Sequence, residues 1–144
     1  MNEAPTEIKS YTNNLTIPEK SQPNIYIATI YVMDPDSNQS HSCNLTNVLI
    51  AKNNFSEEIQ SNLKIVKLVD NKLLTDSDSP YALNAKNVTG LRVDIECKDD
   101  GQPPFLIKRQ MFIQVLDIND PPHSIKFLFT LNSVSFSFLL CLTF

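Results

Sequence analysis

The sequence predicts an all-β fold, an antiparallel sandwich of two sheets built from about seven short strands. Nine prolines and only two glycines accompany many Asn and Ser residues, a composition typical of extended strands joined by polar turns. Residues 24–33 are rich in β-branched and aromatic side chains, which favour strands. Residues 91–97 alternate apolar and charged side chains with the period that marks a half-buried strand.

Polar turn residues separate the other predicted strands, and no long helix is predicted. The turn Asp70-Asn71 divides two short strands, and residues 76–86, which include Pro80, are predicted to form a loop. The polar residues 56–59 are predicted to form a helical turn. The predicted strands therefore lie, in order, at Ile8 with 15–17, then at 24–33, 43–50, 63–69, 72–75, 91–97 and 105–116.

Acidic side chains follow several of these strands. Asp34 and Asp36 follow the second strand, and Asp99 follows the sixth. Because strand direction reverses at each turn, these residues are expected to share one pole of the sandwich. Asp117 follows the last strand and is expected at the other pole, near Glu19. Clustered carboxylates and amides suit calcium, which takes about six to eight oxygens, whereas the alternative is a set of ordinary turns.

Four motifs, taken together and in their order, resemble a cadherin repeat that spans residues 2–122. The resemblance implies a seven-stranded Greek-key sandwich of immunoglobulin-like architecture. The start of the chain, residues 2–6, is similar to the N-E-A-P-T variant of the linker that joins such repeats. The four motifs are Pro18-Glu19, Asp34-Pro35-Asp36 (similar to D-x-D), residues 93–101 (similar to V-x-V-x-A-x-D-x-G) and residues 117–122 (similar to D-x-N-D-x-P).

The same resemblance divides the chain into a linker from a preceding repeat at 1–7, the repeat itself at 8–116 and a calcium-binding linker at 117–124. Residues 125–144 form a strongly apolar tail, interpreted as the start of a truncated next repeat, a membrane segment or an anchor signal. The polar start does not resemble a signal peptide, so the chain is expected to be a piece of a longer protein.

In cadherins, calcium ions lie between successive repeats, and each repeat supplies half of two sites. Lys86 departs from the family pattern, because it stands where an acidic ligand is expected; the C-terminal site is therefore expected to be weaker. At the junction with a preceding repeat, the resemblance implies the ligands Asn2, Glu3, Asp34, Asp36 and Asp99, with a weaker contribution from the backbone of Asn38. At the junction with a following repeat, it implies Glu19, Asp117, Asn119 and Asp120, with a weaker contribution from Asn84.

The resemblance also implies a function: a Ca²⁺-binding repeat that contributes to calcium-dependent, homophilic cell–cell adhesion on the extracellular side of the plasma membrane. Its partners are expected to be neighbouring repeats of the same chain and cadherins on another cell, with membrane association through the parent protein. The alternative is a calcium-independent extracellular β-sandwich interaction module, although the chain lacks the tryptophan of immunoglobulin domains. A net charge of −4 without a basic run does not favour a nucleic-acid partner.

Catalysis is not predicted, because no motif of a hydrolase, nucleotide-binding loop or zinc protease occurs, and because His41 and His123 lie in polar segments expected to be exposed. Cys43 and Cys97 are disulfide candidates, with two buried free thiols as the alternative, and Cys141 lies in the tail. Five N-x-[S/T] sequons favour a secreted protein. Their asparagines, all candidates for glycosylation, are Asn14, Asn38, Asn44, Asn54 and Asn87.

Overall fold

The computed structural model describes residues 1–118, which form two β-sheets and one short helix. The predicted linker beyond residue 118 and the apolar tail, with Asn119, Asp120, His123 and Cys141, lie outside the described residues. In the described part of the chain the elements are β1 (Glu7–Ser10), β2 (Leu15–Pro18), β3 (Tyr26–Met33), β4 (His41–Lys52), β5 (Glu57–Gln60), β6 (Val66–Val69), β7 (Lys72–Thr75), α1 (Ser79–Ala82), β8 (Gly90–Asp99) and β9 (Leu106–Leu116).

One sheet has the strand order β1-β3-β7-β6, and the other has the order β2-β9-β8-β4-β5. The predicted all-β, two-sheet sandwich is confirmed. Its antiparallel character needs one correction, because β2 pairs with β9 in parallel, with Leu15 beside Ile113 and Pro18 beside Leu116. The parallel pair arises because the chain leaves β1 and crosses to the second sheet without reversing its direction. Residues of the first predicted strand are thereby divided between two sheets.

Strand β8 shows how the sequence pattern positions the polar ends of the sandwich. Leu91, Val93, Ile95 and Cys97 are each at most 1% exposed and face the space between the sheets. The same alternation brings Asp99, the last residue of β8, onto the inner face, where it is 3% exposed. A carboxylate is therefore buried at the point where the apolar core ends.

The prediction of a helical turn at residues 56–59 is wrong, because residues 57–59 lie in strand β5, which pairs with the end of β4. Asn53, Asn54 and Phe55 have positive φ angles between 50° and 66°, and they reverse the chain between the two strands. Phe55 folds back over Gly90, where an added Cβ would lie 2.3 Å from the Phe55 ring. The open edge of β4 supplies the backbone partners of β5, and a local sequence pattern does not reveal such an edge.

The region between β6 and β8 agrees with the prediction in its strands but differs in one connection. Asp70 and Asn71 have φ angles of 50° and 62° and form the predicted turn between β6 and β7. Residues 76–86, predicted to be a loop, contain the short helix α1. Pro80 lies in its first turn, where the missing N–H of proline removes no hydrogen bond. Leu83, which is fully buried, follows the helix and anchors this connection in the core.

Candidate functional site

One end of the sandwich collects polar side chains from three separate parts of the chain: residues 2–3, 34–41 and 99–101. We call this end the N-terminal pole. Asn2 precedes β1, Asp34 directly follows β3, and Asp99 is the last residue of β8. An open cavity of about 500 Å³ at this pole is lined by residues that include Asn2, Asp36 and Gln39. The pole is thus a concave surface rich in oxygen atoms.

Asp99 is held at the base of the N-terminal pole by donors from its own loop. Its Oδ1 accepts hydrogen bonds from the backbone N–H of Phe105 at 2.8 Å and of Gly101 at 3.2 Å. The Nδ2 of Asn2 lies 3.3 Å and 3.4 Å from the two carboxylate oxygens of Asp99 and donates to the carbonyl of Pro103 at 2.6 Å. An added Cβ at position 101 would lie 2.0 Å from Asn2 Nδ2, so a glycine there permits this approach.

Asp34 and Asp36 form the second part of the N-terminal pole. Asp34 Oδ2 lies 2.7 Å from Nε2 of His41, and Asp34 Oδ1 accepts the backbone N–H of Asp36 at 2.8 Å. The hydrogen bond from His41, followed by that from Asp36, lowers the pKa of Asp34 below its usual value. Asp36 Oδ2 accepts the backbone N–H of Glu3 at 2.7 Å and the side-chain amide of Gln39 at 3.2 Å. The segment before β1 is therefore attached to the pole.

The prediction that His41 is exposed is wrong. Its side chain is only 15% exposed and contacts the carboxylate of Asp34, which is 3% exposed.

The neighbouring Ser40 connects the loop before β4 to the end of β8. Its Oγ donates to Asp100 Oδ2 at 2.6 Å and its backbone N–H donates to Asp100 Oδ1 at 3.2 Å. These two bonds from Ser40 lower the pKa of Asp100.

The opposite end of the sandwich, which we call the C-terminal pole, contains Glu19, residues 84–86 and Asp117. Glu19 is 4% exposed; its Oε2 accepts the backbone N–H of Ala85 at 2.9 Å, and its Oε1 accepts that of Ile118 at 3.1 Å. The Ala85 bond is the main reason for the lowered pKa of Glu19, and a side-chain hydrogen bond with Asp117 lowers it further. Glu19 thus connects three segments of the chain.

The loop before β8 completes the C-terminal pole. Asn84 Oδ1 accepts the backbone N–H of Lys86 at 3.1 Å, which forms a local turn. Lys86 is exposed. The position expected to carry an acidic ligand therefore presents a positive charge to solvent beside the carboxylates of this pole.

Oxygen atoms dominate both poles, and carboxylate and amide oxygens are the ligands that calcium prefers. Within residues 1–118, no three His, Cys, Asp or Glu side chains converge closely enough to form a metal site by themselves. Calcium at either pole would therefore need amide, backbone or additional oxygens. Gln39 carries one further amide oxygen: its Oε1 is buried and has no hydrogen-bond partner among the described residues, while its Nε2 contacts Asn2 and Asp36. The chemistry of these donors, carboxylate and amide oxygen, is compatible with calcium shared with a neighbouring repeat.

Solved structures resemble this fold. The extracellular domain of protocadherin GammaB4 matches with a TM-score of 0.56 and 23% identity, over 81% of this chain and 16% of that chain. Repeats EC22–24 of mouse cadherin-23 match with a TM-score of 0.55 and 18% identity, over 83% of this chain and 35% of that chain. The chain folds as a cadherin-like repeat. No protein-family model and no curated protein matches the sequence.

A third similar structure, the cis-dimer of protocadherin gammaB7 EC3–6, matches the repeat with a TM-score of 0.52 and 25% identity. The match covers 81% of this chain and 25% of that one. The repeat thus spans between 16% and 35% of the length of these three structures. The likeness establishes the fold of this chain.

The repeat brings together the residues that the sequence assigned to each end. Asn2, Asp34, Asp36 and Asp99 meet at the N-terminal pole, where Glu3 joins them through its backbone N–H. Glu19, Asn84 and Asp117 lie at the C-terminal pole. Asn38 is exposed on the wall of the cavity.

Two residues of the N-terminal pole, Gln39 and His41, escaped the sequence interpretation. Gln39 lies in a polar turn and His41 is the first residue of β4. Neither belongs to a sequence motif, so only their contacts with Asn2 and Asp34 identify them.

The repeat joins Cys43 on β4 to Cys97 on β8 in a disulfide between residues that lie directly opposite each other. The sequence left open a disulfide or two buried free thiols, and the structure has the disulfide.

Within residues 1–118 there is no helix with the length and apolarity that crossing a membrane requires. All five sequon asparagines are exposed: Asn14, Asn38, Asn44, Asn54 and Asn87.

Proposed function

We propose that this repeat binds Ca²⁺ at its two poles and thereby stiffens the links between successive repeats of a longer cell-surface protein. The observation that carries the proposal is the convergence at the N-terminal pole of oxygens from three distant segments, represented by Asn2, Asp36 and Asp99. Residues that lie in the linker and residues that end strands meet there. A cation bound by both would couple the position of the linker to the body of the repeat.

Electrostatics supports the same proposal. Asp34, Asp36 and Asp99 place three carboxylates at one pole, although within residues 1–118 they do not converge on a single point, and like charges at one pole repel one another. Hydrogen bonds from Asn2, Gln39 and His41 offset part of this repulsion. A divalent cation at the pole would offset more of it, since it attracts each carboxylate.

The C-terminal pole supports a weaker site. Glu19 and Asp117 supply carboxylates, but Lys86 adds a positive charge where another acidic ligand is expected. The remaining proposed ligands, Asn119 and Asp120, belong to the linker beyond the described residues. We assign to this pole a lower calcium affinity than to the N-terminal pole.

At the level of the cell, the proposed role is calcium-dependent, homophilic adhesion, without catalysis, by a protein exposed on the outer side of the plasma membrane. The proposed partners are neighbouring repeats of the same chain and a cadherin-like protein on another cell. A disulfide and five exposed sequon asparagines fit the oxidising secretory pathway. One similar structure, protocadherin gammaB7 EC3–6, is described as a cis-dimer, which makes lateral contacts another possibility for this repeat's parent.

The test is a calcium titration of the full chain, followed by amide NMR, with magnesium as the control ion. We expect shifts at Asp34, Asp36 and Asp99, with weaker shifts at Glu19 and Asp117. A half-site in isolation is expected to bind with a Kd of about 1 mM or weaker, at the low-affinity end for extracellular modules. Asp36→Asn should weaken the binding at the N-terminal pole by about tenfold, because affinity follows the charge of the ligands.

A calcium-independent interaction module is the second candidate. It is favoured by the hydrogen bonds that already satisfy Glu19 and Asp34 within the repeat. The absence of localised shifts at about 10 mM calcium, roughly ten times the Kd of weak extracellular sites, would support this candidate and contradict the calcium proposal. Aggregation of beads coated with the chain, compared in calcium and in chelator, then separates calcium-dependent from calcium-independent self-association.

A further inference from the structure

Gln39 lies between two oxygen-bearing side chains of the N-terminal pole. Its Nε2 donates to Asn2 Oδ1 at 2.5 Å and to Asp36 Oδ2 at 3.2 Å. One amide group therefore bridges two oxygens that the proposed function assigns to calcium. The partial positive charge on this nitrogen occupies a place where the same two oxygens would attract a cation.

The other polar atom of this amide is unusual. Gln39 Oε1 is buried and has no hydrogen-bond partner among the described residues. Most buried acceptors in folded proteins are paired with a donor, so the present orientation of this amide leaves its oxygen unsatisfied while its nitrogen contacts Asn2 and Asp36. Side-chain amide oxygens are regular calcium ligands. Neither the D-x-D motif nor the linker motif includes this residue.

We infer that Gln39 is itself a ligand residue of the N-terminal calcium site, an inference that rests on the proposed function. The terminal torsion of a glutamine is broad and nearly two-fold, so half a turn exchanges Oε1 for Nε2 with little change in shape. After this rotation Oε1 faces the same space as Asn2 Oδ1 and Asp36 Oδ2. Gln39 then has two states: its nitrogen holds the pole together by donation, and its oxygen binds the cation.

The competing explanation is that Gln39 acts only as a structural clamp between Asn2 and Asp36. Both explanations predict that Gln39→Met, which has no donors, loosens the pole. They differ in the calcium affinity of this variant. Loss of a clamp frees Asn2 Oδ1 and Asp36 Oδ2 from the amide nitrogen and does not weaken calcium binding, whereas loss of a ligand oxygen does weaken it. Gln39→Glu adds a carboxylate beside Asp36, which attracts the cation under both explanations.

The experiment compares the full chain with Gln39→Met and Gln39→Glu, using calcium chloride as the probe and magnesium chloride as the control ion. We expect Gln39→Met to weaken calcium binding by about threefold or more and Gln39→Glu to tighten it by about threefold or more, because affinity follows the number and charge of the oxygens. The side-chain amide resonances of Gln39 should shift with the same calcium dependence as the backbone amide of Asp36. Gln114, exposed on β9, provides the matched controls Gln114→Met and Gln114→Glu, which should leave the affinity unchanged.

The outcomes separate this inference from the proposed function. Calcium shifts at Asp34, Asp36 and Asp99, combined with an unchanged or higher affinity in Gln39→Met, would overturn the ligand role and leave the proposed function intact. A chain without any calcium-dependent shift would overturn both. If Gln39→Met does not fold, the side-chain resonances of the unsubstituted chain decide the question. Side-chain amide signals of Gln39 that do not shift at calcium saturation contradict the inference.

Discussion

The two poles of the repeat satisfy their carboxylates in different ways. At the C-terminal pole, both oxygens of Glu19 accept backbone N–H groups, from Ala85 and Ile118. At the N-terminal pole, side chains supply many of the donors. Gln39 donates a hydrogen bond to Asp36, and His41 donates one to Asp34. Backbone donors are fixed by the fold, whereas side-chain donors can rotate away. We therefore expect Glu19 to support the fold directly and the N-terminal pole to respond more strongly to a cation.

The largest effect on stability is expected from Glu19→Ala, which removes the carboxylate that accepts both backbone hydrogen bonds at the C-terminal pole. It removes a buried carboxylate and leaves the N–H groups of Ala85 and Ile118 without their acceptor. We expect a fall in Tm of roughly 5–10 °C in the presence of chelator. Circular dichroism on heating measures it.

Two matched variants control this measurement. Glu57→Ala removes an exposed carboxylate on β5 and should leave Tm within about 1 °C of the unsubstituted chain. Asp36→Ala in chelator should lower Tm less than Glu19→Ala does. Equal losses for Asp36→Ala and Glu19→Ala would show that the two poles support the fold equally, against the distinction drawn above.

An intermediate effect is expected from Lys86→Glu, which would make the C-terminal pole more like its counterpart. The substitution replaces an exposed positive charge with a carboxylate next to Ala85, whose backbone N–H donates to Glu19. We expect calcium binding at this pole to tighten by about threefold to tenfold, measured from the amide shift of Asp117 during the titration.

The control is Lys98→Glu, the same charge change at an exposed position on β8, near the other pole. It should leave the C-terminal affinity unchanged. A Lys86→Glu chain with the calcium affinity of the parent would indicate that the charge at residue 86 does not limit this site.

The smallest effect concerns acid sensitivity at the N-terminal pole. Hydrogen bonds from Ser40 lower the pKa of Asp100 in the folded state. Because the folded pKa lies below the unfolded pKa, Asp100 contributes stability at pH values above the unfolded pKa of about 3.9, and this contribution is lost as pH falls through the folded pKa. Urea unfolding from pH 7 to pH 2 should therefore show a smaller acid loss in Asp100→Asn than in the unsubstituted chain. Ser40→Ala, which removes the Oγ donor, should reduce the loss in the same direction; a steeper loss in either variant would contradict the assignment.

The strands and the general placement of the poles could be predicted because they follow from local patterns. The alternation from Leu91 to Cys97 is enough to place Asp99 on an inner face at the end of a strand. The parallel pairing of β2 with β9 and the strand at Glu57–Gln60 could not be predicted, since both depend on edges formed by distant residues.

The site shows the same division between local and non-local information. The acidic residues lie at strand ends, which a sequence reveals. Gln39, in a turn, and His41, at the start of β4, contact Asn2 and Asp34, and no motif in the sequence indicates these contacts.

The parallel pairing of β2 and β9 has a mechanical consequence for the repeat under tension. A pull along the repeat draws the start of β2 toward the N-terminal pole and the end of β9 toward the C-terminal pole. Since these strands run in parallel, with Leu15 beside Ile113 and Pro18 beside Leu116, their backbone hydrogen bonds are loaded in shear and must break together. Strands pulled from one end would instead unzip, one bond after another. The short strand β2 therefore acts as a shear clamp between the points where tension enters and leaves the repeat.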